Sequence, residues 1–322
     1  MDPPGRGRGR GTSDTLNRVD VGRIGIWTAA LDRQPAAVVR RAAAEIERLG
    51  FGALWVGEAA RREVFANASL LLSATEQLVV ATGIANIWAR DPMAMAAGQR
   101  TLAEAWGGRF LLALGVSHDR LVEPRGHHYD RPLTAMRRYL DAMDHAPYLA
   151  PMPDPMAMTR VLGALGPRML ALAAEVADGA HPYLVPVEHT EQAREILGPA
   201  KLLCPEVAVV VTPDEEGARR VARAHLTTYL QLVNYRSNLV RLGFDAGDLT
   251  GGGSDRLVDA LVAWGPVERI ARRVHEHLDA GADHVAIQVL TADPDRLPLE
   301  EWTKLAAALR LSPRPGPAQA EE

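Results

Sequence analysis

The residues of this 322-residue chain that can move protons or hold phosphate fall in a few short stretches. Glu58 follows an apolar run ending in Val56-Gly57, and His118 follows one ending in Val116-Ser117. A carboxyl beside aromatic side chains can hold its proton more tightly than usual and then donate or accept one. A histidine titrates near neutrality and suits the same task. Each has a plainer use: Glu58 as the ion-pair partner of Arg61 or Arg62, His118 as a hydrogen-bonded loop residue. Leu165-Gly166-Pro167-Arg168 offers different chemistry. Proline fits the first helical position, glycine lets backbone approach a ligand, and helix amides beside Arg168 can hold a phosphate. The same four residues also make an ordinary helix start. Trp27, Trp88, His181 and Tyr183 supply flat side chains with few polar groups, which suit a planar heterocycle.

Other chemistries find no support. His127-His128 has no third ligand nearby, so no metal is expected. Cys204 is the single cysteine, which excludes a disulfide framework and fits a reducing cytoplasm. There is no close carboxylate pair of the glycosidase type and no G-x-S-x-G elbow. The formal net charge is −4, and Arg6, Arg8 and Arg10 supply too few phosphate contacts to imply a nucleic-acid partner. No apolar run approaches the roughly 18 residues of a membrane span. The stretch after the N-terminal arginines, 11–21, is too polar for a signal peptide. A small molecule is therefore the expected partner.

The elements that must position these residues are predicted from periodicity. Apolar runs near 22–29, 53–57, 78–85, 110–116, 160–165, 180–185, 207–211 and 284–290 read as strands. Helical patterns separate them near 35–49, 65–75, 93–106, 133–145, 167–177, 188–197, 214–242 and 266–280, and a last helix covers 299–310. Most strands are continuously apolar, as in a parallel sheet covered on both faces. Eight βα units, with no G-x-G-x-x-G after the first strand, favour a (β/α)₈ TIM barrel over an open doubly wound sheet. Residues 19–310 then form one domain, with 226–256 as an insertion between strands seven and eight that reads as a lid, a dimer element or a plain surface excursion. Residues 1–18 and 311–322 read as loose Gly/Arg/Pro-rich tails. In such a barrel the site forms at the C-terminal ends of the strands, where all the residues above fall.

The motifs resemble a known family. Gly25-Ile26-Trp27, followed by Glu47-Arg48-Leu49-Gly50-Phe51-Gly52-Ala53-Leu54-Trp55-Val56-Gly57-Glu58, resembles the opening of the luciferase-like monooxygenase superfamily. Residues 81–86 (ATGIAN), 110–117 (FLLALGVS) and 163–179 resemble its third, fourth and fifth units. The resemblance covers about residues 22–310. Within the family the chain is most similar to actinobacterial oxidoreductases that use coenzyme F420, a deazaflavin. The resemblance implies a luciferase-like barrel, a homodimer, and a cofactor ring across the barrel mouth. It implies a cis peptide at Gly83–Ile84, ring contacts from Gly83, Ile84, Asn86 and Ser117, and a cofactor tail held by Gly166, Pro167 and Arg168. Glu58 or His118 would then supply the proton for hydride transfer, and Trp27, Trp88, His181 and Tyr183 would shape the substrate pocket. The sequence departs from the family pattern in one place: no histidine follows strand two, where Gly57-Glu58-Ala59 stands. An FMN-dependent monooxygenase and a non-catalytic partner subunit are the alternatives on the same fold.

Overall fold

A computed structural model describes residues 19–314. The apolar runs become short strands buried along nearly their whole length. They are β1 Ile24–Trp27, β2 Ala53–Val56, β3 Val79–Thr82, β4 Ala85–Asn86, β5 Phe110–Gly115, β6 Thr159–Leu162, β7 Gly179–Ala180, β8 Leu202–Leu203, β9 Glu206–Val211, β10 Val262–Gly265 and β11 Val285–Val289. The helices are α1 Ala36–Arg48, α2 Val64–Leu72, α3 Pro92–Ala105, α4 Asp119–Val122, α5 Pro132–Asp144, α6 Pro167–Val176, α7 Val187–Leu197, α8 Glu215–Tyr229, α9 Val233–Arg241, α10 Asp255–Leu261, α11 Val267–Asp279 and α12 Leu299–Ala308.

Every strand pair is parallel, and the sheet curls. From β1 the order runs through β2, β3, β5, β6 and β7 to β8. β9, joined to β8 through Cys204-Pro205, pairs with β11, and β11 returns to β1. The backbone N–H of Cys204 donates to Ala180 and that of Ala286 to Pro205, so the 202–211 segment bonds to neighbours on both sides. Because strand side chains alternate, they divide into two packed layers. Trp55, Ala81, Ala113, Val161 and Ala286 fill one face, while Ile26, Leu54, Val80, Leu112 and Ile287 meet the helices on the other.

Local chemistry fixes how helices meet strands. On α1, Val39, Ala42, Ala43 and Ile46 are buried at helical spacing, and Gly50 ends the helix with φ +91°. The buried Glu47 carboxylate on α1 accepts from the backbone N–H groups of Glu76, Gln77 and Leu78, which anchors the entry to β3. Asp91 caps α3 by accepting from Ala94 at 3.0 Å, with Pro92 at the first turn.

Three expectations need correction. The single helix expected over 214–242 is two, α8 and α9, broken at 230–232 although no glycine or proline stands there. Leu230 and Leu232 are both buried at the break, so packing turns the chain. β10 is absent from the predicted strands: α10 runs straight into it, with no glycine or proline to mark the change. The 226–256 segment is accordingly the end of α8, all of α9 and the start of α10. Of the tail expected at 311–322, the described part is tied down, Leu311 N–H donating to Ala306 and Arg314 N–H to Arg48. Residues 1–18 and 315–322 lie outside the described residues.

Candidate functional site

The C-terminal ends of β1, β2, β3, β5, β6 and β7 surround a cavity of about 390 Å³, within the roughly 300–1,000 Å³ of small-molecule sites. Trp27 forms one wall. Its indole N–H donates to the Gly83 carbonyl at 3.0 Å, and its ring meets Tyr183 edge-on at 5.3 Å. The Gly83–Ile84 peptide is cis, as the family resemblance implies. Gly83 has no room for a side chain: a Cβ there would lie 2.5 Å from Trp27 Nε1 and 3.3 Å from His181 Nε2. The Ile84 side chain lies over the ends of β5 and β6, so that a Cβ on Gly115 would come within 2.7 Å of its Cγ1. The result is a slot with apolar walls and glycine backbone at its surface.

Glu58 lines this slot, yet both its oxygens are engaged. Its partner is Arg90, not Arg61 or Arg62. Arg90 Nη1 donates to Oε2 at 3.0 Å, Arg90 Nη2 pairs closely with Oε1, and the Asn86 N–H donates to Oε2 at 2.8 Å. Glu58 N–H also donates to the Ile84 carbonyl. The carboxylate therefore buckles the end of β2 to the loop carrying the cis peptide.

That loop places two predicted residues away from the slot. Asn86 is buried and turns inward, its Oδ1 accepting from the Trp88 N–H at 3.0 Å. Trp88 turns outward, donates to the Val116 carbonyl at 2.9 Å, and lines a separate cleft with His127 and Tyr139. Neither lines the cavity. Ser117, His118, His181 and Tyr183 do. Ser117 is left-handed (φ +57°), which turns the chain so that His118 faces the cavity. His118 bonds to the Asn234 side chain and contacts the Tyr235 ring; burial pulls its pKa down despite Asp119, so the imidazole is neutral at pH 7.

His181 is stacked on Trp55 at 4.3 Å. Its Nδ1 lies 2.6 Å from the Cys204 carbonyl and must donate to it, which leaves Nε2 as a buried lone pair without a partner. Burial brings its pKa down to about 4. Gly166, Pro167 and Arg168 sit just beyond the cavity, whose lining on that strand stops at Leu165. Pro167 opens α6, and Arg168 is exposed with no ion pair among the described residues. The Arg241 guanidinium lies beside Gly166, 3.3 Å from where a Cβ would stand.

Sequence reasoning missed Arg241; of its readings of 226–256, the lid fits the roof of the cavity, formed by Tyr229, Leu232, Asn234 and Tyr235 from α8, α9 and the turn between them. Arg120, another lining residue, donates from Nη1 and Nη2 to Gln231 Oε1 at 3.0 Å and holds that roof to the β5 loop. Tyr229 and Asn234 lay in a recognisable helical pattern, but nothing in the pattern says which loop it covers. No group of three or more acids, histidines or cysteines that could hold a metal occurs among the described residues. No helix among them is long and apolar enough to cross a membrane.

The site fits a flat heteroaromatic group. The walls are apolar, glycine backbone is exposed at the ends of β3 and β5, and His181 keeps an unpartnered acceptor behind the slot. The family described as luciferase-like monooxygenase matches residues 20–284. A Mycobacterium tuberculosis protein carrying the provisional name of coenzyme F420-dependent oxidoreductase is 25% identical over 84% of this chain and 94% of its own length. The 5,10-methylenetetrahydromethanopterin reductase of Archaeoglobus fulgidus is 24% identical over 74% and 85%. Among solved structures, an F420-dependent secondary alcohol dehydrogenase bound to an F420-acetone adduct superposes with TM-score 0.72 at 16% identity, covering 89% of this chain and 99% of that one. The FMN-bound oxygenating constituent of 3,6-diketocamphane monooxygenase of Pseudomonas putida gives TM-score 0.69 at 12% identity, covering 90% and 97%.

Proposed function

Because the chain belongs to the luciferase-like monooxygenase family, we propose that it is an oxidoreductase that transfers a hydride between coenzyme F420 and a small organic substrate. The observation that carries this reading is the cavity between Trp27 and Ile84, largely apolar and lined by glycine backbone at Gly57, Gly83, Gly115 and Gly163. The relatives named for F420 support the choice of cofactor. In this reading the curled sheet is a (β/α)₈ barrel, the 226–256 segment is an insertion roofing its mouth, and the protein works as a cytoplasmic homodimer.

Gly83, Ile84, Trp27 and Ser117 would hold the deazaflavin ring. The N-terminus of α6 at Gly166-Pro167, with Arg168 and Arg241, would hold the phosphate of its tail. The cofactor supplies a carbon-bound hydride donor or acceptor. The chain does the rest. Leu232, Tyr229 and Tyr235 exclude water over the slot. Glu58 and Arg90 fix the loop behind the ring. The neutral His118 imidazole, oriented by Asn234, donates a ring N–H hydrogen bond to the substrate oxygen and stabilises the charge that oxygen gains, while the proton that completes the alcohol comes from solvent. With both oxygens bound, Glu58 is a positioning residue and His118 the catalytic one.

Titration with F420 and with FMN, read from each cofactor's own fluorescence, tests the assignment. F420 binding alone is the expected result. FMN binding alone would move the chemistry to oxygen-using monooxygenation, and binding of neither would make this a partner or binding subunit. With a panel of ketones and F420, His118→Gln should lower turnover about 100-fold or more while cofactor affinity stays within about twofold; unchanged turnover removes His118 from the mechanism.

A further inference from the structure

A second cavity, of about 580 Å³, adjoins the first at the ends of β1 and β11. The two share Trp27, Ala29, Arg61, Thr228 and Tyr229, so they meet along these residues. Their linings differ in chemistry. Arg33, Arg61, Arg296 and His225 border the second cavity, and no aspartate or glutamate does. Arg33 and Arg296 are ion-paired, to Asp295 and Glu301. Arg61 forms no ion pair among the described residues and acts at a distance on Asp32. Tyr229, at this junction, is held by a hydrogen-bond chain: it donates to the Tyr183 hydroxyl at 3.0 Å, and Tyr183 donates to Gln288 Oε1 at 2.7 Å. With Arg33 and Arg296 matched by carboxylates and His225 kept neutral by burial, Arg61 is the uncompensated cation of a lining that holds no acid, and it can take an anion.

We propose that this second cavity holds the carboxylate or phosphate end of the substrate, with Arg61 as its anchor, so that the substrate's reacting carbon reaches the first cavity past Trp27 and Tyr229. The substrate class is thus an anionic carbonyl or alcohol compound. The proposal rests on the first cavity being the cofactor site. The same anion chemistry could come from the acidic tail of the cofactor, and the test separates the two sources.

Citrate, which the cavity can accommodate, and its uncharged triethyl ester are titrated calorimetrically into the wild-type protein at low ionic strength, where charge pairing is least screened. Arg61→Gln and Ala224→Trp are titrated beside it. Ala224 is an exposed α8 residue bordering only the second cavity, and a tryptophan there fills that cavity. Citrate should bind the wild type, the ester should not, and each variant should weaken citrate at least tenfold with unchanged thermal stability. In parallel, Ala224→Trp should bind F420 and its tail-less deazaflavin fragment as the wild type does, within twofold. No citrate binding, or citrate binding indifferent to both variants, overturns the proposal. Loss of F420 affinity with retained affinity for the tail-less fragment also overturns it and gives the cavity to the cofactor tail. If neither deazaflavin binds the wild type, the cofactor reading fails on its own, and the citrate titration still decides whether the cavity takes anions.

Discussion

Glu58→Gln separates a buckle from an acid. The Glu58 and Arg90 side chains are 5% and 12% exposed, so their pairing is largely desolvated. Removing one partner of such a pair leaves the other charge buried and costs about 3–5 kcal/mol, where an exposed pair would cost less than about 1 kcal/mol. In Glu58→Gln the amide oxygen can still accept from Asn86, and Arg90 keeps Glu63 at 2.7 Å. The loss should therefore fall at the low end, about 3 kcal/mol. Arg90→Met strands the Glu58 carboxylate with only the Asn86 N–H and should cost about 4 kcal/mol. Because the two residues touch, the double variant should lose about 2 kcal/mol less than the sum. Urea unfolding at constant m-value measures each change, and cofactor titration reports the loop. F420 affinity should fall with stability, since the buckle holds the loop carrying Gly83 and Ile84. Wild-type stability in Glu58→Gln, or strict additivity, would refute the buckle. A 100-fold drop in turnover with stability and affinity intact would make Glu58 the acid after all.

Gly115→Ala pushes a methyl group against Ile84 Cγ1; it should cost about 1–3 kcal/mol and weaken F420 about tenfold, whereas unchanged affinity would mean Ile84 does not back the ring. The pH dependence of stability should peak at about pH 7. Burial brings His181, His225 and His284 to about 4 and His277 to about 3, so below their unfolded value the unfolded chain takes up more protons and stability falls with falling pH. Glu206 is the opposite case: burial raises it to about 8, so the folded state holds the extra proton and stability declines as pH rises from its unfolded range to 8. Four histidines outweigh one carboxyl below about pH 7, and Glu206 dominates above it. Unfolding midpoints from pH 4.5 to 8.5 test this, and Glu206→Gln should flatten the alkaline side; a stability that keeps rising to pH 8.5 would contradict it.

The sequence by itself determined the parallel strands and most of their helices, because continuous apolar runs, helical spacing and the Gly50 stop are local signals. It also marked strand ends that meet in one cavity: Trp27, Glu58, Gly83, Ile84 and His118 stand at the ends of apolar runs, and His181 stands within the run at 180–185. Tertiary structure decided what those residues can do. Glu58 loses its freedom to Arg90, a residue 32 positions away whose approach no spacing reveals. Asn86 and Trp88, two and four residues past the cis peptide, point away: the Asn86 Oδ1 accepts from the Trp88 N–H, and the Trp88 indole donates to Val116. The break between α8 and α9, and with it the roof and Arg241 beside Gly166, arises from burial of Leu230 and Leu232 against the rest of the molecule. Side-chain partners at long sequence separation are fixed by packing geometry, and a helical pattern states which face is buried but not against what.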